Sequence, residues 1–180
     1  MNADPANTRQ ATEEDYDQIH ELLEAAFEQP DEATLVRQLR EDGDMWLELV
    51  KDWDGRIAAY AALSRLHGPE TWACLAPVAV WPAFQRGACA PEEDLRGHFS
   101  FGSRLVREIA VVADTDRKPV NFPDAIVVLG DPGFYGKAGF SLEQAQKLKT
   151  PYPVDHTLIV GVGTDTPDEE LIYPPAFGAT

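Results

Sequence analysis

A chain of 180 residues, 44% hydrophobic and 26% charged, is long enough to bury one sizeable core and too apolar for wholesale disorder. Its 31 Asp and Glu against 15 Lys and Arg give a formal charge of -16, a surface that repels phosphate backbones and anionic lipid heads; nucleic acid and membrane are excluded as partners, while cationic amines stay allowed. Cys74 and Cys89 form neither a metal spacing nor a disulfide framework, MNADPANTRQATEED lacks an apolar core of signal-peptide length, and no apolar run reaches the roughly 20 residues of a membrane span, so a cytoplasmic setting is expected.

In ATEEDYDQIHELLEAAFEQP, Thr12 caps a helix and Asp15, three residues on, is the acidic partner of a variant capping box. Tyr16, Ile19, Leu22, Leu23, Ala26 and Phe27 recur at helical spacing and leave the acids on the opposite face. Pro30 stands at the first turn of a second helix, which carries Leu35, Val36 and Leu39 inward until Gly43 ends it. The pattern then changes. MWLELVKDWDGRIAAYAALSRL reads as two strands joined at Asp54-Gly55, a dipeptide that favours tight hairpin turns. TWACLAPVAVW is a further strand, and Pro77 inside it demands an edge or a bulge because proline has no N–H to give to a ladder.

FGSRLVREIAVVAD sets Leu105, Val106, Ile109, Val112 and Ala113 on one side of a helix. AIVVLG, residues 125–130, makes a short buried strand, and DPGFYGKAGF makes a brief helix or turn that brings Phe134 and Phe140 inward. A proline-containing linker leads to a last strand from about His156 to Val162. The tail is acidic and turn-rich, pinned at Leu171, Ile172 and Tyr173. Trp46, Trp53, Trp72 and Trp81 are strand residues facing the core or a groove. The chain has no internal repeat and no low-complexity stretch.

Three features follow one another along the chain: a proline-broken strand, a Gly-containing turn that opens a helix, and a strand ending in an aromatic-rich Gly turn. A helix start with small residues, here Gly102 and Ser103, offers unpaired N–H groups and a positive dipole end to a pyrophosphate. The strand broken at Pro77 frees backbone groups at Val78 and Val80 for an extended, peptide-like ligand. Coenzyme A, with a pyrophosphate and an amide-bearing arm, has the shape to satisfy both.

On these residues the sequence resembles the GNAT N-acetyltransferase superfamily, from TRQATEEDYDQIHELLEAAF through LAPVAVWPAFQRG and FGSRLVREI to VVLGDPGFYGKAGF. The resemblance implies a mixed α/β domain around a twisted, mostly antiparallel sheet flanked by helices, splayed where the pantetheine-binding strand meets the following parallel strand. It implies one domain over 1–180, with its core at about 8–162 and a tail at 163–180. The implied activity is transfer of an acetyl group from acetyl-CoA to a primary amine of a small molecule or peptide, by direct attack. Carried over, the pantetheine strand falls on Val78, Ala79 and Val80, and the first half of the pyrophosphate turn on Gln85, Arg86 and Gly87. Its second half falls on Gly102 and Ser103, and Tyr135 becomes the acid that protonates the departing thiolate.

The turn departs from the family pattern of Gln/Arg-x-x-Gly-x-Gly/Ala. Gln85 and Leu105 stand 20 positions apart, so extra residues separate its two halves. Arg96 and Gly97 could replace Arg86 and Gly87, but Ser100 then stands where the middle glycine belongs. Losing two N–H bonds to a charged oxygen would weaken binding by roughly two to four powers of ten. An insert with Arg86, Arg96 and His98 could instead fold over the cofactor, against the opposition of Glu92, Glu93 and Asp94. The alternative to an enzyme is therefore a catalytically silent module that has lost tight acetyl-CoA binding and binds a partner protein.

Tyr135 reads alternatively as an aromatic packed against Phe134 and Phe140. His67, Glu70, His156 and Asp131 are titratable candidates for a base, and none is singled out. Cys74 and Cys89, without a paired His or acid, read as structural. The acceptor amine has no diagnostic motif, and a homodimer is compatible with the sequence.

Overall fold

The computed structural model describes residues 7–87 and 100–178. Its elements run β1 (Asn7–Gln10), α1 (Tyr16–Phe27), α2 (Asp31–Asp42), β2 (Met45–Trp53), β3 (Arg56–Arg65), β4 (Trp72–Val80), α3 (Phe101–Ala113), β5 (Ala125–Leu129), α4 (Pro132–Ala138) and β6 (Thr157–Val160). The six strands lie in sequence order in one sheet. Every neighbouring pair is antiparallel except β4 and β5.

The local signals act where the sequence places them. The Asp15 side chain makes no cap bond to α1; its carboxylate instead takes the Thr12 N–H at 2.8 Å, and the chain enters α1 through one 3-10 turn, Glu13–Asp15. Asp15 is buried because Arg9 grips both of its oxygens, at 2.7 and 2.8 Å. Gly43 ends α2 with φ 78°, and Asp54 and Gly55 both take positive φ, 49° and 75°, as a two-residue primed hairpin turn requires.

The helices cover the sheet on two faces. Ile19, Leu22 and Leu23 of α1 with Val36 of α2 pack on Val50, Tyr60, Ala62 and Ala79. Leu105, Val106 and Ile109 of α3 pack on Ala59, Ala61, Leu63 and Leu75 from the other side. The run of alanines in β3 brings both helix layers close to the strand. A third cluster, with Cys74, Val127 and Ile159, lies under Leu148, Leu171 and Tyr173. The tail is thus pinned by Leu171 and Tyr173, as expected. Ile172 is different: its side chain is half exposed, and its backbone does the pinning through bonds with His67 N and Gly68 O.

The sequence reading contains no strand before α1, yet Asn7–Gln10 pairs with β2 as an edge strand. Its side chains are polar throughout, so no alternation marks it; Arg9 reaches Asp52 at 2.6 Å and Thr8 receives a bond from Lys51 at 2.6 Å. Another polar link fastens α2 to β2. Glu48 is buried and accepts from Arg40 Nη2 at 2.6 Å and from Tyr60 Oη at 2.7 Å. Among the described residues no helix is long and apolar enough to cross a membrane.

Candidate active site

Pro77 makes a bulge. Ala61 pairs with Val78 and Leu63 with Leu75, so two steps on β3 face three on β4. The extra residue switches the faces of the strand. Ala73 and Leu75 point to the α3 side before the bulge, Val78 and Val80 after it, and Ala79 turns to the α1 side. One lateral edge of β4 is also uncovered, because β5 pairs only with Trp72, Ala73 and Cys74. Beyond Cys74 the two strands part. Trp81 N donates to Ala58 O at 3.1 Å, so Trp81 and Ala79 direct their backbone groups to β3. Val78 and Val80, in alternation, direct theirs to the opening. The Val80 carbonyl is already used there, accepting from Gln85 Nε2 at 3.0 Å.

At the opening lies a cavity of about 250 Å³, and Val78, Ala79, Val80, Gln85, Gly102 and Tyr135 all line it. Residues assigned separately in sequence thus meet around one space. Ala26 and Phe27 of α1, Ser100 and Phe134 complete the walls. Sequence reasoning gave Ala26, Phe27 and Phe134 no place in the site, and met Ser100 only as the residue standing where the middle glycine of the turn belongs. A signal existed for Ser100, which directly precedes the helix and is of a capping type; Phe27 carried none beyond its place at the end of α1.

Gln85, Arg86 and Gly87 end the 3-10 turn Pro82–Gly87 that leaves β4. The Phe84 ring meets the Phe101 ring edge-on at 5.4 Å, and Phe101 meets Trp53 at 5.5 Å, so the two sides of the opened turn touch. The readings of Cys89, Glu92, Glu93, Asp94, Arg96, Gly97 and His98 fall outside the described residues. Ser100 caps α3: its Oγ accepts from Ser103 N at 3.2 Å and lies 3.1 Å from Ser103 Oγ. The Ser103 amide, assigned in sequence to a pyrophosphate, therefore already has a partner, and Ser103 does not line the cavity. Gly102 lies against the strand. A Cβ there would come within 2.8 Å of Val80 Cγ2, so the glycine lets the first turn of α3 approach β4.

The motif GDPGFYGKAGF builds the opposite wall. Asp131 caps α4, its carboxylate accepting from Gly133 N at 3.0 Å, with Pro132 in the first turn. Gly139 ends the helix with φ 117°, and Phe140 enters the core. Gly130 has a steric reason: a Cβ there would overlap Cε2 of Tyr135 and stand 2.9 Å from Cδ2. The Tyr135 ring lies over this bare Cα, held edge-on by Phe134 at 4.9 Å and Phe140 at 5.8 Å. Its hydroxyl donates to no protein acceptor among the described residues. Burial, with a contribution from the Cys74 thiol, pushes its pKa up to about 12.

None of the four base candidates lines the cavity. His67 lies 2.8 Å from Asp44, Asp131 is the α4 cap, Glu70 is an exposed turn residue, and His156 Nδ1 lies 3.4 Å from Gly130 O. Cys74 is buried and its thiol is pushed up to about 12 by desolvation, which suits a core residue and not a nucleophile.

No family model matches the chain. A curated relative, the uncharacterized N-acetyltransferase YhbS of Escherichia coli K12, is 32% identical over 139 residues, covering 75% of this chain and 73% of its own length. The chain belongs to the GNAT superfamily of N-acetyltransferases. Solved structures agree with the GNAT fold. The crystal structure of Escherichia coli YhbS in complex with CoA superposes with a TM-score of 0.73 at 27% identity, covering 99% of this chain and 96% of that one. A GNAT acetyltransferase of Brucella melitensis in complex with acetyl-CoA gives 0.68 at 26% identity, covering 95% and 97%. The parting of β4 from β5 in this GNAT chain is the splay that the resemblance implied.

Proposed function

We propose that this GNAT chain transfers the acetyl group of acetyl-CoA to a primary amine, working in the cytoplasm as one domain. The observation that carries the reading is the cavity where the uncovered edge of β4, the first turn of α3 and Tyr135 meet. The relatives with CoA and acetyl-CoA bound support it. These groups fit the cofactor: Val78 and Val80 offer a peptide-like edge to an amide-bearing arm, and the amides of the α3 start, at Gly102, offer donors to a pyrophosphate. Gln85 holds the end of β4 through Val80 O, beside Arg86 and Gly87 in the same turn.

Acetyl-CoA supplies an activated acetyl thioester. The chain contributes position and a proton. The Val78 N–H is the donor this reading gives the task of polarising a carbonyl laid along β4, and Phe27, Phe134 and Ala79 line that space with apolar groups. Tyr135 Oη, held well above its ordinary pKa by burial, keeps its proton at neutral pH and is the donor available to a departing sulfur. Full transfer from such a phenol to a thiolate of ordinary pKa near 8.5 is uphill, so the hydrogen bond would stabilise the sulfur, and the proton the phenol gives up would be made good by the one the amine nitrogen loses on becoming an amide. The acceptor is a small molecule or peptide amine.

Calorimetric titration with acetyl-CoA and CoA tests the binding half. Micromolar binding supports the enzyme; absence of binding at millimolar ligand refutes it and leaves the silent, partner-binding module. Tyr135→Phe tests the chemistry. With an acceptor in hand its turnover is expected to fall about 10²-fold. Because the hydroxyl has no protein partner among the described residues, the melting temperature is expected to stay within about 2 °C. Unchanged turnover and pH profile would remove Tyr135 from the mechanism.

A further inference from the structure

On the far side of α3 from the acyl-transfer cavity, a larger cavity of about 860 Å³ opens along the outer strands and shares no residue with it. Its volume is in the range of small-molecule sites. The walls are apolar: Leu47 and Leu49 of β2, Ile109 and Val112 of α3, and Phe122 from the segment before β5. Trp46 also lines it and is fixed twice. Its Nε1 donates to Asn121 O at 2.6 Å, and the Arg65 guanidinium lies over its ring, 4.3 Å from the centroid.

One of the charges around this space stands without a counter-ion among the described residues. Glu108 lines it but is neutralised by Lys51 Nζ at 2.9 Å, and both bond to the Thr8 hydroxyl. Asp44, near Arg65 in the fold, directs its carboxylate to His67 instead. Arg65 has no carboxylate within ion-pair distance among the described residues; its one side-chain partner is the Trp46 ring. An apolar cavity that presents a guanidinium with no counter-ion among the described residues thus stands in a chain of formal charge -16. The rest of such a surface repels an anion, and this cavity attracts one. The stacked, planar guanidinium is held ready for a two-pronged carboxylate, and the adjoining walls accept a hydrocarbon.

We propose that this cavity binds an amphipathic carboxylate, its head on the Arg65 guanidinium and its chain against Leu49, Ile109 and Val112. The test is calorimetry of the full chain with octanoate, hexanoate and 1-octanol as probes. Octanoate is expected to bind saturably at one site, more tightly than hexanoate by roughly fourfold or more for the two methylenes. Arg65→Gln, at an exposed position that leaves the core untouched, is expected to weaken octanoate about tenfold and to leave 1-octanol unchanged. Two results overturn the proposal. One is no saturable octanoate binding at millimolar concentration; the other is octanoate and 1-octanol binding alike, with no effect of Arg65→Gln.

Discussion

Gly102 carries two readings, a cofactor cradle from the sequence and a packing contact from the structure, and a double-mutant cycle with Val80 separates them. In Gly102→Ala the new Cβ would meet Val80 Cγ2 at 2.8 Å, against 3.4–4 Å for an ordinary contact. Either the helix start retreats by several tenths of an ångström or Val80 leaves its rotamer, and a β-branched residue in a strand has little freedom at χ1. Overpacking of this kind costs about 1–3 kcal/mol. Alanine returns up to about 1 kcal/mol of helix propensity, less near a helix start, so a net loss of about 1–2 kcal/mol is expected. Val80→Ala alone, at a half-buried position, removes two methyl groups at a cost of about 1 kcal/mol. In the double variant the clash is gone and the propensity gain remains, so its loss should be no more than that of Val80→Ala alone. The coupling is then about 1–2 kcal/mol, read by urea unfolding with a check that the m-value is constant. Additivity within about 0.5 kcal/mol would refute the packing role. The same four proteins, titrated with CoA, report the cradle. If the stable double variant still binds weakly, the absent side chain at 102 also serves the cofactor.

Gly130→Ala should push the Tyr135 ring off its seat: turnover is expected to fall about 10²-fold, with CoA affinity nearly unchanged, as seen by thiol release beside calorimetry. Glu48→Gln removes the charge that holds Arg40 and is expected to cost about 3 kcal/mol in urea unfolding, since it leaves a mostly buried guanidinium without its counter-ion. Asp15 is kept well below the ordinary carboxylate range, first by its hydrogen bonds to Arg9. A depressed folded-state pKa gives stability that is present above the unfolded value near 4 and lost as pH falls below it. Asp15→Asn should therefore be less stable than the parent at pH 7, and the two unfolding free energies should converge in acid; parallel curves down to low pH would refute the assignment.

Much of the fold was legible because the signals were local. Helical periodicity gave α1, α2 and α3, Gly43 marked a stop, and Asp54-Gly55 marked the hairpin. What stayed hidden depended on partners distant in sequence. β1 is polar from Asn7 to Gln10 and becomes a strand only because β2 presents an unpaired edge with Asp52 and Lys51 in register with Asn7 and Thr8. Glu48 and Lys51 are charged residues within a strand, yet both are buried, each held by a counter-ion from a helix. A side chain's own type does not announce such a partner.

The same distinction governs the site. Pro77 announces an interruption, and Val78 and Val80 follow from it, but the direction in which they point depends on the count across the ladder. With no bulge, strict alternation from Ala73 and Leu75 would place Pro77 and Ala79 toward α3 and turn Val78 and Val80 to the α1 face. The added residue reverses this, so Val80 meets Gly102 and the helix start lies beside the uncovered strand edge. Gly102 and Gly130 then act as a pair from opposite walls. One removes the side chain that would hold α3 away from β4, and the other removes the side chain that would hold Tyr135 away from β5. Glycine at both positions is a requirement of close approach, since neither has positive φ, and that requirement draws the helix start, the strand edge and the phenol around one small space.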